Sequence, residues 1–253
     1  LVLATEGKPA TISSRQPEDA NVMKIATWNL ERPKTVSRKN QLILEKLKEV
    51  GADILILTET NRCIDLGPEY IGFPSEELKP CKECEYTPGE NRATVWIKRV
   101  HSATKQKVFD PSTSVCVSVK TDHGELYVYG TVIGILGHPS QNVDEQIDDW
   151  REVSQSGRKS LCIAGDFNVQ FCRLDKFTKG SKDKIIACFS ELGITNLICG
   201  IAENIDHVAI SNRFLANAPH SETYIWNLEK KLHVPKLSDH IGVLVNLDFS
   251  KAR

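Results

Sequence analysis

Several things are scarce in this chain of 253 residues, and each scarcity removes a class of protein. No stretch approaches the roughly 18 to 20 consecutive apolar residues of a membrane span, so a soluble protein with no span is expected. Leu1 to Ala4 are apolar but fall short of the ~7 to 15 residue core of a secretory signal, and no basic segment precedes them. A start at Leu1 instead of Met leads us to expect a processed or trimmed chain. Charge of one sign is lacking too: 32 Lys and Arg against 33 Asp and Glu leave a formal net charge of -1. Without a global basic field, stable duplex binding is disfavoured, although an enzyme that must release its product is not. Neither an internal repeat nor a low-complexity tract is present. A complete cysteine metal site is also missing, because Cys81 and Cys84 in KPCKECEYTPGE have zinc half-site spacing but no second pair. They read as two thiols in a polar loop. The eight cysteines are even in number, yet Cys116, Cys162 and Cys199 fall in apolar strand-like runs, where a thiol acts as a small hydrophobe. A reduced cytoplasmic protein is therefore expected.

What is present is ordinary globular material, 40% hydrophobic and 26% charged, enough for a sizeable core. Residues 1–21 mix Gly, Pro, Ser and charge without periodicity and read as a flexible leader, with a single domain over 22–253. The spacing predicts strands at VMKIATWNL, ADILILTET, RATVWIKRV, TSVCVSVKT and ELYVYGTVIGI, and later at SLCIAGDFN, ITNLICG, IDHVAIS, ETYIWNL and IGVLVNLDF. Helices are expected at KTVSRKNQLILEKLKEVG, with Val36, Leu42, Ile43, Leu47 and Val50 near helical spacing, at SQNVDEQIDDWREVSQSG and at KDKIIACFSELG. Strands outnumber helices and many are consecutive, which implies sheet packed on sheet with helices outside. The Pro- and Gly-rich segment Asn61 to Glu90 reads as a long binding loop on the substrate side.

The chemistry is concentrated where apolar strands run into polar residues. TWNLE holds Asn29 and Glu31, LILTET holds Glu59, IAGDFN holds Asp166 and Asn168, IDH holds Asp206 and His207, and LSDHIGV holds Asp239 and His240. One such cluster is ordinarily a turn or a helix cap, since Asn and Asp bond nearby backbone amides. Acids set among Ile, Leu and Val call for more, because a buried carboxylate is costly unless it meets a cation or donors.

In this order, and with GDFN and SDH as the most specific elements, the clusters resemble the endonuclease/exonuclease/phosphatase superfamily. That group includes DNase I, exonuclease III-type abasic endonucleases, neutral sphingomyelinases and inositol polyphosphate phosphatases. The resemblance runs from about Lys24 to Leu247. It implies a DNase I-like α/β fold, a four-layer sandwich of two central mixed β-sheets flanked by helices, with the site where the sheet ends meet. It implies Glu59 as principal ligand of Mg²⁺, or Mn²⁺, with Asn29 nearby, Asp239 completing or orienting the metal's water shell, and Glu31 near a second metal position. Hard oxygen donors suit those ions better than zinc. Asp166 would orient or deprotonate the attacking water, and Asn168 would bond a phosphate oxygen or that water. His240 would face the phosphoryl group as acid, base or cationic clamp, with Asp206 fixing its tautomer.

One departure concerns the strand LYVYGTVIG, where relatives carry His or Tyr and this chain offers Thr131. A threonine donates a hydrogen bond but transfers no proton near neutral pH. His138 is a loop alternative whose ordinary reading is a solvated histidine. Thr131, Arg92 and Asn227 are the candidate substrate contacts. Trp96 and Trp226 read as core, and the basic runs Lys179 to Lys184 and Lys230 to Lys236 as solvated faces. His207 should face away from the site if Asp206 faces it. The expected activity is Mg²⁺-dependent hydrolysis of nucleic acid by an endo- or exonuclease, possibly in DNA repair. The alternatives are a metal-dependent hydrolase of a phospholipid, inositol phosphate or nucleotide, and a non-catalytic binding module of the same fold.

Overall fold

Two sheets are needed because so many strands are apolar on both faces. The computed structural model describes residues 21–34, 37–79, 85–134, 142–173, 178–218, 220–227 and 236–250. The expected leader, apart from Asn21, lies outside these residues, as do Val36, Cys81, Cys84, His138 and all of the run Lys230 to Lys236 except Lys236. In chain order the elements are β1 (Val22–Asn29), α1 (Arg38–Val50), β2 (Ile54–Asn61), β3 (Tyr70–Pro74), β4 (Glu90–Lys98), β5 (Ser102–Gln106), β6 (Ser114–Thr121) and β7 (Gly124–Val132). They continue with α2 (Val143–Val153), β8 (Leu161–Asp166), α3 (Lys179–Leu192), β9 (Ile194–Asn196), β10 (Asp206–Ser211), α4 (Asn212–Leu215), β11 (His220–Trp226) and β12 (Gly242–Asp248).

The strands form two six-stranded sheets, in the orders β11-β12-β1-β2-β4-β3 and β5-β6-β7-β8-β10-β9. Each contains one parallel pair, β1 with β2 and β7 with β8, amid antiparallel neighbours. Three apolar cores account for four layers. Ile25, Ile56, Val95, Val128 and Val208 fill the space between the sheets. Leu47, Leu55 and Leu57 pack α1 on the first sheet, while Ile147, Trp150, Ile163 and Phe189 pack α2 and α3 on the second. The expected four-layer sandwich is therefore present.

Local chemistry sets the ends of the helices. In α1 the Ser37 side chain accepts from the Asn40 amide at the start, and Gly51 closes the helix at φ 57. α3 ends likewise on Gly193 at φ 63. Both parallel pairs send their carboxyl ends to the same edge of the sandwich, where open α/β sheets place ligands. Two expectations need correction, and two elements were not expected. The segment Asn61 to Glu90 is not wholly loop, because β3 pairs antiparallel with β4 inside it. Cys199 is exposed in a turn beyond the short β9, unlike the buried Cys116 and Cys162. The polar β5 and the single turn α4 carry too few apolar residues to declare themselves; β5 is an edge strand with no buried residue.

Gly165 in GDFN is required by close approach. It sits at φ 133, and a Cβ there would overlap the Thr131 carbonyl oxygen on the paired strand. Replacing it with Ala is expected to cost about 2 to 5 kcal/mol in urea unfolding, combining a strained backbone with overpacking. By contrast, Gly180→Ala in α3 meets nothing within 4 Å and is expected to be neutral or stabilising by up to about 1 kcal/mol. Equal effects at the two sites would refute the packing argument.

Candidate active site

The polar strand ends converge at that edge. Asn29 closes β1, Glu59 lies near the end of β2, Asp166 ends β8 and Asp206 begins β10. Asp206 and Asp166 are direct cross-strand partners. Glu59, Asp166, Asn168 and His240 line one cleft of about 180 Å³, together with Arg32, Tyr86, Glu90, Asn91 and Arg92.

Asn29 ties the two sheets together. Its amide donates to Asp166 Oδ2 at 3.0 Å, its Oδ1 accepts from the Glu31 backbone at 2.9 Å, and its own carbonyl accepts from Ser238 Oγ at 2.6 Å. Asp166 Oδ1 in turn accepts from the Asn168 backbone at 2.9 Å. The Asn168 amide donates to the Ile133 carbonyl at 3.0 Å, with the backbone at φ 52. His240 Nδ1 meets Asp206 Oδ2 at 2.6 Å, and the two side chains are 15% and 1% exposed. The His240 backbone is held from three sides. Its carbonyl accepts from Trp28 Nε1 at 3.3 Å and from Asn227 Nδ2 at 2.5 Å, while its N–H donates to Ser238 Oγ at 3.1 Å.

Electrostatics follows from burial. Burial disfavours the charged His240 imidazole, but the hydrogen bond and charge of Asp206, backed by Asp166 and Asp239, outweigh it and raise the group to about 9. His240 is thus an imidazolium at neutral pH. Burial first, and the charge of Asp166 second, lift Glu59 above the ordinary carboxylate range. Asp166 is lifted by burial and then by Asp206, and Asp206 by burial against the pull of His240.

Solved structures share this architecture, whereas no family model and no curated protein matches the chain. The endonuclease domain of TRAS1, a telomere-specific non-LTR retrotransposon, aligns with a TM-score of 0.64 and 16% identity over 91% of this chain and 100% of that one. An endonuclease/exonuclease/phosphatase from Beutenbergia cavernae aligns at 0.59 and 16% over 90% and 72%. The fold is that of the endonuclease/exonuclease/phosphatase superfamily. D. rerio TDP2 complexed with a single-strand DNA product shares this fold at a TM-score of 0.57 and 14% identity, over 90% of this chain and 99% of that one.

Within the endonuclease/exonuclease/phosphatase fold of this chain, not every expected residue reaches the cleft. Thr131 is fully buried and its hydroxyl donates to Gln146 Oε1 at 2.5 Å, so it is turned toward α2 and the neighbouring Val132 takes the cleft position. Asn227 lies outside the residues that line the cleft and clamps the loop before β12. Its amide donates to the Ser238 and His240 carbonyls, and its Oδ1 accepts from the Leu237 backbone at 3.0 Å. Glu31 is turned outward and pairs with Lys39 at 2.8 Å. Asp239 sits on the rim, 67% exposed, with Oδ1 3.8 Å from His240 Nε2. Arg92 does line the cleft, where it donates to the Tyr86 hydroxyl at 3.1 Å. His207 lies behind the site as expected; it contacts the Val169 carbonyl at 2.8 Å, and burial lowers it to about 4.

Sequence reasoning missed Arg32. It lies over the Tyr86 ring at 5.0 Å and is paired with the buried Glu90. The signal was its place beside the TWNLE cluster.

A hard divalent cation fits this donor set. Glu59, Asp166 and Asp206 raise one another's proton affinity while facing one imidazolium, so the donor set favours added positive charge. Among the described residues no three acids or imidazoles converge as a cage.

The His240 assignment is checked by imidazole NMR on metal-free protein. Its folded value of about 9 lies above an ordinary value of about 6.5. The charged pair therefore contributes stability that is complete below about 6.5 and is lost as pH rises through about 9. With Asp206→Asn the titration is expected to fall to 6.5 or below; an unchanged midpoint would refute the pairing.

Proposed function

We propose that this chain is a Mg²⁺-dependent phosphodiesterase, with Mn²⁺ as an equivalent ion, that hydrolyses nucleic acid. The observation that carries the reading is the cleft in which acids from both sheets face an imidazole buried against Asp206. Glu59 would hold the ion, with the Asn29 amide behind it and Asp239 on the rim within reach of its waters. When bound, such an ion polarises the phosphoryl oxygen and neutralises charge.

The chain's own groups account for the rest. Asp166 has each oxygen already accepting one bond, from Asn29 and from Asn168. Held so, with a raised proton affinity, it orients the attacking water and takes its proton. His240 enters as a cation preorganised by Asp206, and stabilises charge developing on the phosphoryl oxygens. Arg32 and Arg92 add local positive charge to a nearly neutral chain. A nucleic acid substrate is supported by the names of the structural neighbours, an endonuclease domain and a protein complexed with single-strand DNA product.

The test is incubation with single-stranded DNA, duplex DNA, RNA and abasic duplex, each with Mg²⁺ and with chelator. Cleavage of at least one is expected with Mg²⁺ alone. Glu59→Gln should lower kcat by about 10²- to 10³-fold, on the scale of losing one transition-state contact, and should abolish Mn²⁺ binding in electron paramagnetic resonance. No cleavage of any polynucleotide would reject the proposal, and turnover confined to inositol phosphates or nucleotide monoesters would move the same chemistry to a small substrate.

A further inference from the structure

The catalytic cleft, at about 180 Å³, is smaller than the roughly 300 to 1,000 Å³ of pockets that enclose a whole ligand. Beside it opens a second cavity of about 430 Å³, and Asn91 lines both. Its floor is Trp96, the cross-strand partner of Gly72. A Cβ on Gly72 would lie 2.9 to 3.0 Å from three atoms of the six-membered ring. The indole therefore folds over the bare backbone of β3; it is half-buried, packs in part against the core beneath α1, and its remaining surface lines the cavity.

Asn61, Asp65, Ser75 and Glu77 spend hydrogen bonds on nearby backbone, while Arg62 and the Asn91 amide keep donors for a ligand. Arg62 lines the cavity and is exposed; its stem runs against Gly89, where a Cβ would find no room. Among the described residues its guanidinium forms no ion pair. Asn91 Oδ1 accepts from Thr94 Oγ1 at 2.8 Å, which leaves the Asn91 amide hydrogens for a ligand. The Trp96 indole N–H is buried with no partner. An aromatic floor, one cation, two acids (Asp65 and Glu77) and an amide edge do not make a phosphate site, which calls for several cations and no acids. They match a flat heterocycle with hydrogen-bonding edges.

We infer that this cavity is a nucleobase subsite, which holds one unpaired base of the strand being cut, stacked on Trp96 and bonded at its edge by Asn91 and Arg62. The inference rests on the nucleic acid reading above and deepens it: the small cleft takes the scissile phosphate, and the neighbouring cavity takes a base beside it. Recognition is then by shape and stacking, tolerant of sequence and dependent on a base that is not paired.

The test uses the full chain and single-stranded DNA and RNA oligonucleotides in which one nucleotide beside the cut is replaced by an abasic residue, on either side in turn. For the wild-type protein, removing the base on one side should raise KM roughly ten-fold, the scale of one stacked base, with little change in kcat. Arg62→Ala and Trp96→Ala should each raise KM for the intact strand and bring the two substrates toward equality. Should Trp96→Ala fail to fold, the exposed Arg62→Ala carries the comparison. Unchanged discrimination in a folded variant, or none in the wild type, overturns the subsite. If no polynucleotide is hydrolysed, the catalytic reading fails, and the subsite is judged separately. Fluorescence anisotropy of the same labelled strands on Asp166→Asn protein must then show weaker binding of the abasic strand, and equal binding would overturn it.

Discussion

The arrangement of the site depends on one buried contact, between Asp206 on the second sheet and His240 on the loop that enters β12 of the first. A carboxylate at 1% exposure is costly unless paired, and pairing it with an imidazolium at 2.6 Å both lowers that cost and fixes the ring. The price is geometric: the loop must hold His240 in place across a seam between two independently formed sheets. Trp28, Asn227 and Ser238 do this through the backbone of residue 240, so the ring itself remains available to the cleft. Asn29 supplies the second tie across the seam, from β1 to Asp166. The geometry of the cleft and the registry of sheet on sheet thus share the same set of bonds.

Backbone strain is found at the same edge. Glu31, Arg32, Glu59, Asn168 and Asn227 all have left-handed φ between 45 and 62. Two are asparagines, which tolerate this region, but for Glu and Arg each such position costs about 1 to 2 kcal/mol. The ladder between β2 and β4 skips Glu59, where the chain turns to aim the carboxylate into the cleft. Strain of this kind persists only where surrounding structure over-determines it. Here the paired strands and the Arg32 backbone bond to the Glu59 carbonyl at 3.0 Å supply that constraint.

Much of this was legible in the sequence because burial on both faces leaves apolar runs, and a run that stops at GDFN or SDH marks where a strand reaches the edge. What stayed hidden depended on side-chain direction. Thr131 occupies the expected strand end, yet a one-residue difference in facing turns it to Gln146 and puts Val132 in the cleft. Asn227 looked like a substrate contact because a polar residue at a strand end is equally a clamp, and only the partners distinguish the two. Glu31 sits next to the right motif, but its left-handed backbone directs it to Lys39. The strand β3 was unreadable for a different reason, since Gly72 and Pro74 break the local signal while cross-strand pairing with β4 restores it.

On the proposed nucleic acid reading, a chain with net charge -1 would draw its attraction for a polyanion from placement, since no overall field assists it. The cations nearest the acids are not interchangeable in this respect. His240 is tied to Asp206 and Arg32 to Glu90, so both are preorganised and partly neutralised. In the proposed reaction they would discriminate a transition state, whose charge is greater, better than a ground state, to which they offer little net charge. Among the described residues Arg62 has no such partner, and it lies outside the cleft that holds Glu59 and His240. On that reading ground-state grip, through Arg62, is separated from transition-state stabilisation, through His240 and Arg32.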